Sequence, residues 1–317
     1  MSARLVMRRL KNFRLLLLTV FVLCAGLPML RAAAADAAAN GKKAVLVTGA
    51  STGIGRKVTE RLAGEGYFVY AGARKDADLQ ALGAIKNVQA VRLDVTDAQD
   101  IAAAVDTVTK GGRALYGIVN NAGIGTAGPV IGGNDSEFEL AMNVNALGPY
   151  RITKAFGPLV IQSNGRIVNI GSVSGILAGK TLAAYTMSKH AVEAFTDSLA
   201  SEMEPLGVQV SVVEPGSYNT GIAKNAVQRL NGDPRRADMS MFKQPDEVAA
   251  AVDLALFEPK PKRRYLVVPT ADQAERTIRK QIEQLVQLNE GQPFTYDRNT
   301  LVKMLDEALA QSRQHTQ

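Results

Sequence analysis

Cysteine and histidine are nearly absent from this chain of 317 residues. The sequence holds one cysteine, Cys24, and two histidines, His190 and His315. Because Cys24 lies in an N-terminal leader, we expect neither a disulfide nor thiol chemistry in the folded part. Two histidines are too few for a histidine metal site, so the sequence predicts no bound metal. We expect a packing or helix-surface role for His190.

An excess of positive charge is also absent from the folded part, although the whole chain carries a formal charge of +7. Residues 1–43 contain eight lysines and arginines and a single acid, Asp36. Removing them from the totals leaves 29 basic and 29 acidic residues. A formally neutral domain argues against a nucleic-acid partner.

The first 42 residues have the order of a targeting segment. Basic residues precede an apolar run over residues 15–30, and small residues follow from Ala32 to Ala39. This order predicts a signal peptide, or a membrane anchor through residues 15–30, that exports the rest of the chain. The alternative is a start site assigned too far upstream, which leaves a cytoplasmic protein without a leader.

A strand, a glycine-rich turn and a helix follow one another directly after the leader. Ala44–Val47 is an apolar run typical of a buried parallel strand. Gly49, Gly53 and Gly55 form a G-x-x-x-G-x-G turn that leads into a helical pattern. Such a turn lets the backbone approach a pyrophosphate, which the N–H groups at the helix N-terminus can bind. The alternative is a structural glycine turn without a ligand.

A tyrosine and a lysine four residues apart carry the strongest chemical signal. Tyr185 and Lys189 share a face of a predicted helix, and Ser172 lies thirteen residues before the tyrosine. We expect the lysine ammonium to lower the pKa of the phenol, which makes the phenol a usable acid and base. A serine hydroxyl can hold a carbonyl oxygen against it. The pattern predicts carbonyl–alcohol chemistry with a hydride carrier, whereas Tyr-x-x-x-Lys alone also occurs on ordinary amphipathic helices.

Six motifs in a fixed order are similar to those of the short-chain dehydrogenase/reductase family. They are the glycine turn, Asn120-Asn121-Ala122-Gly123, Asn145, Ser172, Tyr185-x-x-x-Lys189 and Pro215-Gly216. The chain most resembles the branch of hydroxysteroid and retinol dehydrogenases. The resemblance implies a single α/β domain with a doubly wound parallel sheet of about seven strands, the Rossmann fold. We expect a leader over residues 1–42, the domain over 43–270 and a helical extension over 271–317.

The resemblance also implies a role for each residue of the site. Tyr185 is expected to transfer the proton, and Ser172 to hold the carbonyl. Lys189 is expected to bind the nicotinamide ribose, and Asn145 to hold a water of the proton relay in the middle of a helix. The expected cofactor-binding residues, besides Tyr185 and Lys189, are Gly49, Ser51, Thr52, Gly53, Ile54, Gly55, Arg74, Asp94, Val95, Asn121, Ala122, Gly123, Pro215, Gly216 and Thr220.

The residues after the second predicted strand bear on the choice of cofactor. An acid at this position favours NAD, and a base accommodates the 2′-phosphate of NADP. The chain has Arg74 there and no acid before Asp76. Because a guanidinium can bind a phosphate through two N–H groups, we expect NADP(H) rather than NAD(H). The alternatives are a solvated basic turn, or an approach of Asp76 or Asp78 to the ribose.

These features predict an NADP(H)-dependent oxidoreductase that interconverts a carbonyl with a secondary or primary alcohol. The family branch suggests a lipophilic substrate such as a steroid or a retinoid. Residues 221–244 are predicted to form a substrate lid, and their apolar side chains fit such a substrate. The alternative is a non-catalytic NADP-binding protein that senses redox state or partners another enzyme.

Two apolar stripes follow the region of family resemblance. Ile278, Ile282 and Leu285 predict one amphipathic helix, and Leu301 and Leu305 predict another. These stripes are expected to cover the substrate cleft. The alternatives are a contact in a homo-oligomer or a membrane surface.

Overall fold

Seven parallel strands form one sheet in the computed structural model of the protein, which describes residues 43–233, 235 and 238–316. The strands are β1 (Ala44–Val47), β2 (Phe68–Ala73), β3 (Val88–Arg92), β4 (Leu115–Asn120), β5 (Arg166–Ile170), β6 (Gln209–Pro215) and β7 (Arg264–Val267). Their order in the sheet is β3-β2-β1-β4-β5-β6-β7, and every neighbouring pair is parallel. This topology confirms the predicted doubly wound α/β fold.

Helices connect the strands and cover both faces of the sheet. They are α1 (Gly53–Gly64), α2 (Asp76–Gly83), α3 (Ala98–Lys110), α4 (Asp135–Ala141), α5 (Leu147–Gln162), α6 (Ala183–Met203), α7 (Ile222–Arg229), α8 (Asp246–Phe257), α9 (Ala271–Asn289) and α10 (Arg298–Thr316). Local sequence sets several of their starts. The carboxylate of Asp97, for example, accepts hydrogen bonds from the N–H groups of Gln99 and Asp100 and so caps α3.

The hydrophobic core lies in two layers, one on each face of the sheet. In β1, Val45 and Val47 belong to the layer that contains residues of α1 and α8. Ala44 and Leu46 belong to the opposite layer, which contains residues of α3, α5 and α6. Because successive side chains of a strand point to opposite faces, a strand buried on both faces is apolar throughout. The unbroken apolar run of β1 therefore reflects its central position.

The direction of strand addition reverses at β1, which lies between β2 and β4. The turn after β1 is fixed to both neighbouring strands. The N–H of Thr48 donates to Val119 O in β4 at 3.0 Å, and the N–H of Ala50 donates to Gly72 O in β2 at 2.8 Å. In doubly wound sheets a crevice for ligands opens at this point, outside the carboxyl ends of the strands.

The two predicted C-terminal helices are α9 and α10. Ile278, Ile282 and Leu285 of α9 each have half or more of their surface exposed, as does Leu305 of α10. Of the helices in the described part of the chain, none has the length and apolar character needed to cross a membrane. The predicted leader lies outside the described residues, and the three domain boundaries remain predictions.

Candidate active site

A cleft of about 740 Å³ opens at the carboxyl ends of the strands, where the winding reverses. It brings together most of the residues expected to form the site: Gly49, Ser51, Thr52, Gly53, Ile54, Arg74, Asp94, Val95, Asn121, Ala122, Gly123, Ser172, Tyr185, Lys189, Pro215, Gly216 and Thr220. Two of the expected residues, Gly55 and Asn145, do not line it. The residues that the structure describes contain no cluster of three or more side chains suited to a metal ion.

The glycine turn provides the cradle that a dinucleotide requires. Gly49 has φ +63°, and a Cβ there would lie 2.8 Å from the Cα of Ala122. A Cβ on Gly55 would lie 2.3 Å from the carbonyl oxygen of Gly49, so Gly55 allows α1 to pack against the turn from behind. Thr52 precedes α1 and makes no side-chain cap, so its side chain does not occupy the first N–H groups of the helix, and Gly53 and Ile54 at the start of the helix line the cleft. These features fit a bound pyrophosphate.

Asn121 joins the two loops that border this cradle. Its side-chain amide donates to Thr48 O at 2.8 Å and to Gly49 O at 3.0 Å. The hydroxyl of Thr48 accepts hydrogen bonds from the N–H groups of Asn121 and Ala122, each at 3.0 Å. Asn121 therefore holds the shape of the cradle through its side chain, in addition to lining the cleft.

The end of the cleft beside β2 and β3, where we expect the adenosine of a dinucleotide to bind (the adenosine end), is partly exposed and charged. Arg74 follows β2 directly, and its Nη1 lies 3.4 Å from Asp94 Oδ2 after β3. Their side chains are 64% and 26% exposed. Although burial opposes it, hydrogen bonds from Thr96 and the charge of Arg74 lower the pKa of Asp94. Lys75 also lines the cleft, so two cationic side chains are available to a phosphate at this end.

Asn145 lies in a π-helical turn, Met142–Ala146, between α4 and α5. This position corrects the expectation of a regular helix. Its side-chain amide pairs with both peptide groups of Ile124: Oδ1 accepts from the N–H at 2.8 Å, and Nδ2 donates to the carbonyl at 2.9 Å. Nδ2 also donates to the hydroxyl of Ser188 at 3.0 Å. π-Turns are frequent at functional sites because they interrupt the regular hydrogen-bond ladder.

Ser172, Tyr185 and Lys189 meet at the opposite end of the cleft from Arg74. Ser172 follows β5 and hydrogen bonds to the phenol of Tyr185, which lies on the first turn of α6. The Nζ atom of Lys189, one turn further along α6, lies 5.9 Å from the centre of the Tyr185 ring. Lys189 is only 6% exposed, and its Nζ donates to Ile170 O at 2.9 Å.

The pKa of Tyr185 contradicts the expectation from the sequence. Burial raises the pKa of the phenol, and the hydrogen bond from Ser172 opposes that rise only in part. Burial also lowers the pKa of Lys189 to about 8, against the attraction of Glu193. Desolvation therefore dominates at both groups, and at the phenol it outweighs the lowering of the pKa that a neighbouring ammonium produces.

Helix α7, in the segment predicted to form a lid, borders the cleft and is joined to α4 by an ion pair. α7 contributes Ile222 and Arg229 to the lining. Arg229 binds Glu137 of α4 through two contacts, from Nε to Oε1 and from Nη2 to Oε2, each 3.1 Å long. Its Nη2 also donates to Gly125 O at 2.6 Å. The hydrogen bonds and charge of Arg229, aided by a hydrogen bond from Thr126, lower the pKa of Glu137 despite burial.

The C-terminal helices do not line the cleft, contrary to the first interpretation of their apolar stripes. Contact with the site is made instead by Gln273 at the start of α9. Its Oε1 accepts a hydrogen bond from the N–H of Ser217 at 3.0 Å, and a Cβ on Gly216 would lie 2.3 Å from the same atom. Gln273 thus fixes the loop that follows β6.

Several charged residues around the site are not predicted by the sequence patterns. Arg229 and Glu137 lie 92 positions apart, and no local pattern links them. Glu193 had a usable signal, because it follows Lys189 by four residues and so lies on the same face of α6. Glu214 had one as well, as an acid near the end of a strand that is rich in valine and mostly buried.

The parallel sheet and its glycine turn place the protein in the class of Rossmann-type α/β proteins. Within that class, the family model described as short chain dehydrogenase matches residues 43–231, more than half of the chain. The chain therefore belongs to the short-chain dehydrogenase family, a family of oxidoreductases, as its motif order predicted.

Two relatives illustrate the range of proteins to which the chain is similar. It is 38% identical to the mitochondrial D-beta-hydroxybutyrate dehydrogenase of Rattus norvegicus over 206 residues, 62% of this chain and 60% of that protein. It is 39% identical to retinol dehydrogenase 5 of Mus musculus over 184 residues, 56% of this chain and 57% of that protein. The chain thus spans less than two thirds of the length of each of these relatives.

Solved structures of short-chain dehydrogenases have the same fold. One from Streptomyces avermitilis is 29% identical with a TM-score of 0.66, and the match covers 80% of this chain and all of that one. Another, from Burkholderia cenocepacia J2315 in complex with NADP, is 26% identical with a TM-score of 0.64. That match covers 80% of this chain and 99% of the other.

Proposed function

We propose that the protein is an NADP(H)-dependent oxidoreductase that interconverts a carbonyl group with an alcohol. The proposal rests on one observation: the same cleft is lined by Ser172, Tyr185 and Lys189 and by the glycine turn that follows β1. A dinucleotide held along this cleft supplies the hydride in reduction or accepts it in oxidation.

The residues of the chain supply binding and proton transfer. In reduction, the hydroxyl of Ser172 donates a hydrogen bond to the carbonyl oxygen of the substrate, and the phenol of Tyr185 transfers its proton to that oxygen. Burial raises the pKa of Tyr185 and so weakens the phenol as an acid, which makes its proton transfer depend on a positive charge beside the phenolate. Lys189, held by Ile170 O, places a positive charge near the phenolate that forms. Asn145 fixes the backbone of Ile124, which lines the cleft.

The preference for NADP(H) rests on Arg74. Its guanidinium is exposed at the adenosine end, beside Lys75, where the 2′-phosphate of NADP requires cations. The ion pair with Asp94 orients the guanidinium without burying it.

The substrate is proposed to be uncharged and lipophilic. Apolar side chains line the cleft near the lid, among them Ile124, Val144, Val173, Ile222 and Met239. The guanidinium of Arg229 also lines the cleft, but Glu137 and Gly125 O engage it. A substrate carboxylate would have to compete with Glu137 for that cation. The arrangement is therefore better suited to a retinol-like alcohol than to a hydroxy acid, two substrate types named among the relatives.

The test is a panel of carbonyl compounds assayed with NADPH and with NADH. The panel contains lipophilic ketones and aldehydes, each paired with a carboxylated analogue of similar size. We expect reduction of the lipophilic members, faster with NADPH. Tight NADPH binding without turnover of any member would instead support a cofactor-binding sensor or partner protein.

We also propose that residues 1–42 target the protein to a membrane or through it. The proposal rests on the basic residues that precede an apolar run over residues 15–30. N-terminal sequencing of the protein from its native cells tests it. A mature chain that begins near residue 40 supports a cleaved signal, and an intact N-terminus in the soluble fraction contradicts export.

A further inference from the structure

Two carboxylates face each other beneath the catalytic end of the cleft. Glu193 lies on α6, one turn beyond Lys189, and Glu214 lies in β6 just before Pro215. Their side chains are only 13% and 4% exposed. Acids this deeply buried are rare unless they are paired. The proposed chemistry uses neither of them.

A single arginine lies close to both carboxylates. The Nε atom of Arg264 lies 3.6 Å from Glu193 Oε2 and 3.5 Å from Glu214 Oε1. Its Nη2 lies 2.7 Å from Oδ2 of Asp197, which is half exposed. Burial and the repulsion of Glu214 raise the pKa of Glu193 to about 8, and burial also raises the pKa of Glu214. One guanidinium among three acids therefore leaves a proton on the buried pair at neutral pH.

The turn that carries Ser172 rests directly on Glu193. A Cβ on Gly171 would lie 2.6 Å from Glu193 Oε1, and a Cβ on Gly175 would lie 2.9 Å from the same atom. The Cβ of Gly175 would also lie 3.2 Å from the carbonyl oxygen of Lys189. The absence of side chains at Gly171 and Gly175 thus lets the turn that carries Ser172 pack against Lys189 and Glu193.

Glu193 also acts on the charge of Lys189. Burial lowers the pKa of the lysine, and the attraction of Glu193 opposes that change. The charged groups that face Glu193 are Lys189 and Asp197 on its own helix, Glu214 from β6 and Arg264 from β7. The same carboxylate therefore touches the serine turn and supports the ammonium of the lysine.

We propose that Glu193 is a positioning residue that supports the Ser172 turn and the Lys189 ammonium from beneath the cleft, with Glu214 and Arg264 setting its charge. The kinetic consequence rests on the proposed function. The electrostatic assignment does not, because it can be measured on the protein without substrate or cofactor.

The first experiment measures the thermal unfolding midpoint between about pH 5 and about pH 8 for the wild type, Glu193→Gln and Asp197→Asn. Because the folded-state pKa of Glu193 is raised from 4.5 to about 8, folding retains a proton that the unfolded chain releases. The stability from this group is complete below the unfolded pKa and is lost as the pH rises towards 8. Glu193→Gln should flatten this decline, and Asp197→Asn should flatten it far less, because Asp197 is the smallest of the causes that raise the pKa of Glu193. Equal slopes in the wild type and Glu193→Gln would overturn the assignment.

The second experiment measures the pH dependence of carbonyl reduction for the wild type, Glu193→Gln and Glu214→Gln. The wild-type rate should fall as Lys189 loses its proton near pH 8. Glu193 ionises over the same pH range, near 8, and its carboxylate then supports the ammonium, so Glu193→Gln should move this alkaline limb to lower pH. Glu214→Gln transfers the remaining charge to Glu193, so the limb should stay or move up. A uniform loss of rate in both variants, without a shift of the alkaline limb, would contradict the electrostatic role and indicate that Glu193 only packs beneath the turn.

The two experiments separate the two proposals. If no carbonyl compound is reduced, the unfolding curves still decide whether Glu193 holds the extra proton. If the enzyme is active and neither measurement shifts in Glu193→Gln, only the inference about Glu193 fails.

Discussion

The two ends of the cleft differ in how far their charged side chains are buried. At the adenosine end, Arg74 and Asp94 form an exposed pair that solvent screens. At the catalytic end, Lys189 and Glu193 are buried, and desolvation moves both of their pKa values to about 8. A cation and a carboxylate therefore act as charges at one end and as titratable groups near neutral pH at the other.

This difference bears on how substitutions should act. An exposed charge contributes affinity for a charged ligand, and its loss weakens binding without disturbing its neighbours. A buried charge is held by several partners at once, so its loss changes the protonation of the whole group. Substitutions at the adenosine end should therefore change binding, and those at the catalytic end should change rate and pH dependence.

The largest effect is expected for Tyr185→Phe at the catalytic end. Removing the proton donor should lower kcat for reduction by about 10²- to 10⁴-fold while NADPH affinity stays within a few-fold. Stopped-flow reduction and NADPH fluorescence titration measure the two quantities. Tyr218→Phe is the matched control, because Tyr218 also lines the cleft but donates its hydroxyl hydrogen to Glu247 Oε2 at 2.6 Å. Comparable losses in both variants would remove the special role of Tyr185.

Arg74→Ala tests the adenosine end. Loss of a charge-assisted contact to a phosphate corresponds to about 1.5–3 kcal/mol, so the KM for NADPH should rise about 10- to 100-fold. The KM for NADH should change little, because NADH lacks the 2′-phosphate. Arg279→Ala, an exposed ion-pair arginine of α9, is the control and should alter neither. Equal increases for the two cofactors would contradict the assignment of Arg74.

Glu137→Gln tests the fastening of the lid, which lies between the two ends. Freeing Arg229 should raise the KM for a lipophilic carbonyl compound a few-fold, since a half-buried ion pair contributes about 1 kcal/mol. The same change should lower the KM for its carboxylated analogue, because the guanidinium becomes available. Glu139→Gln, two residues further along α4, is the exposed control. An unchanged ratio between the two substrates would indicate that Arg229 does not influence specificity.

The order of motifs allowed the fold and most of the site to be predicted, since strand–turn–helix units determine which loops meet at the switch point. The direction of the Tyr185 pKa shift could not be predicted, because it depends on how much water the folded chain excludes. The pairing of Arg74 with Asp94 also required the structure, since it joins the ends of two neighbouring strands. No sequence pattern indicates that Glu193 and Glu214 both contact Arg264, because the three residues lie on different elements.

The most direct test of the central claim follows the hydride itself. The protein is mixed with NADPH deuterated at the transferred position of the nicotinamide and with the best carbonyl compound of the panel. Mass spectrometry then locates the label in the product. We expect deuterium on the alcohol carbon with the wild type and almost none with Tyr185→Phe, although that variant still binds NADPH. Label that never reaches the product, or that arrives equally fast with Tyr185→Phe, would contradict hydride transfer with Tyr185 as the proton donor.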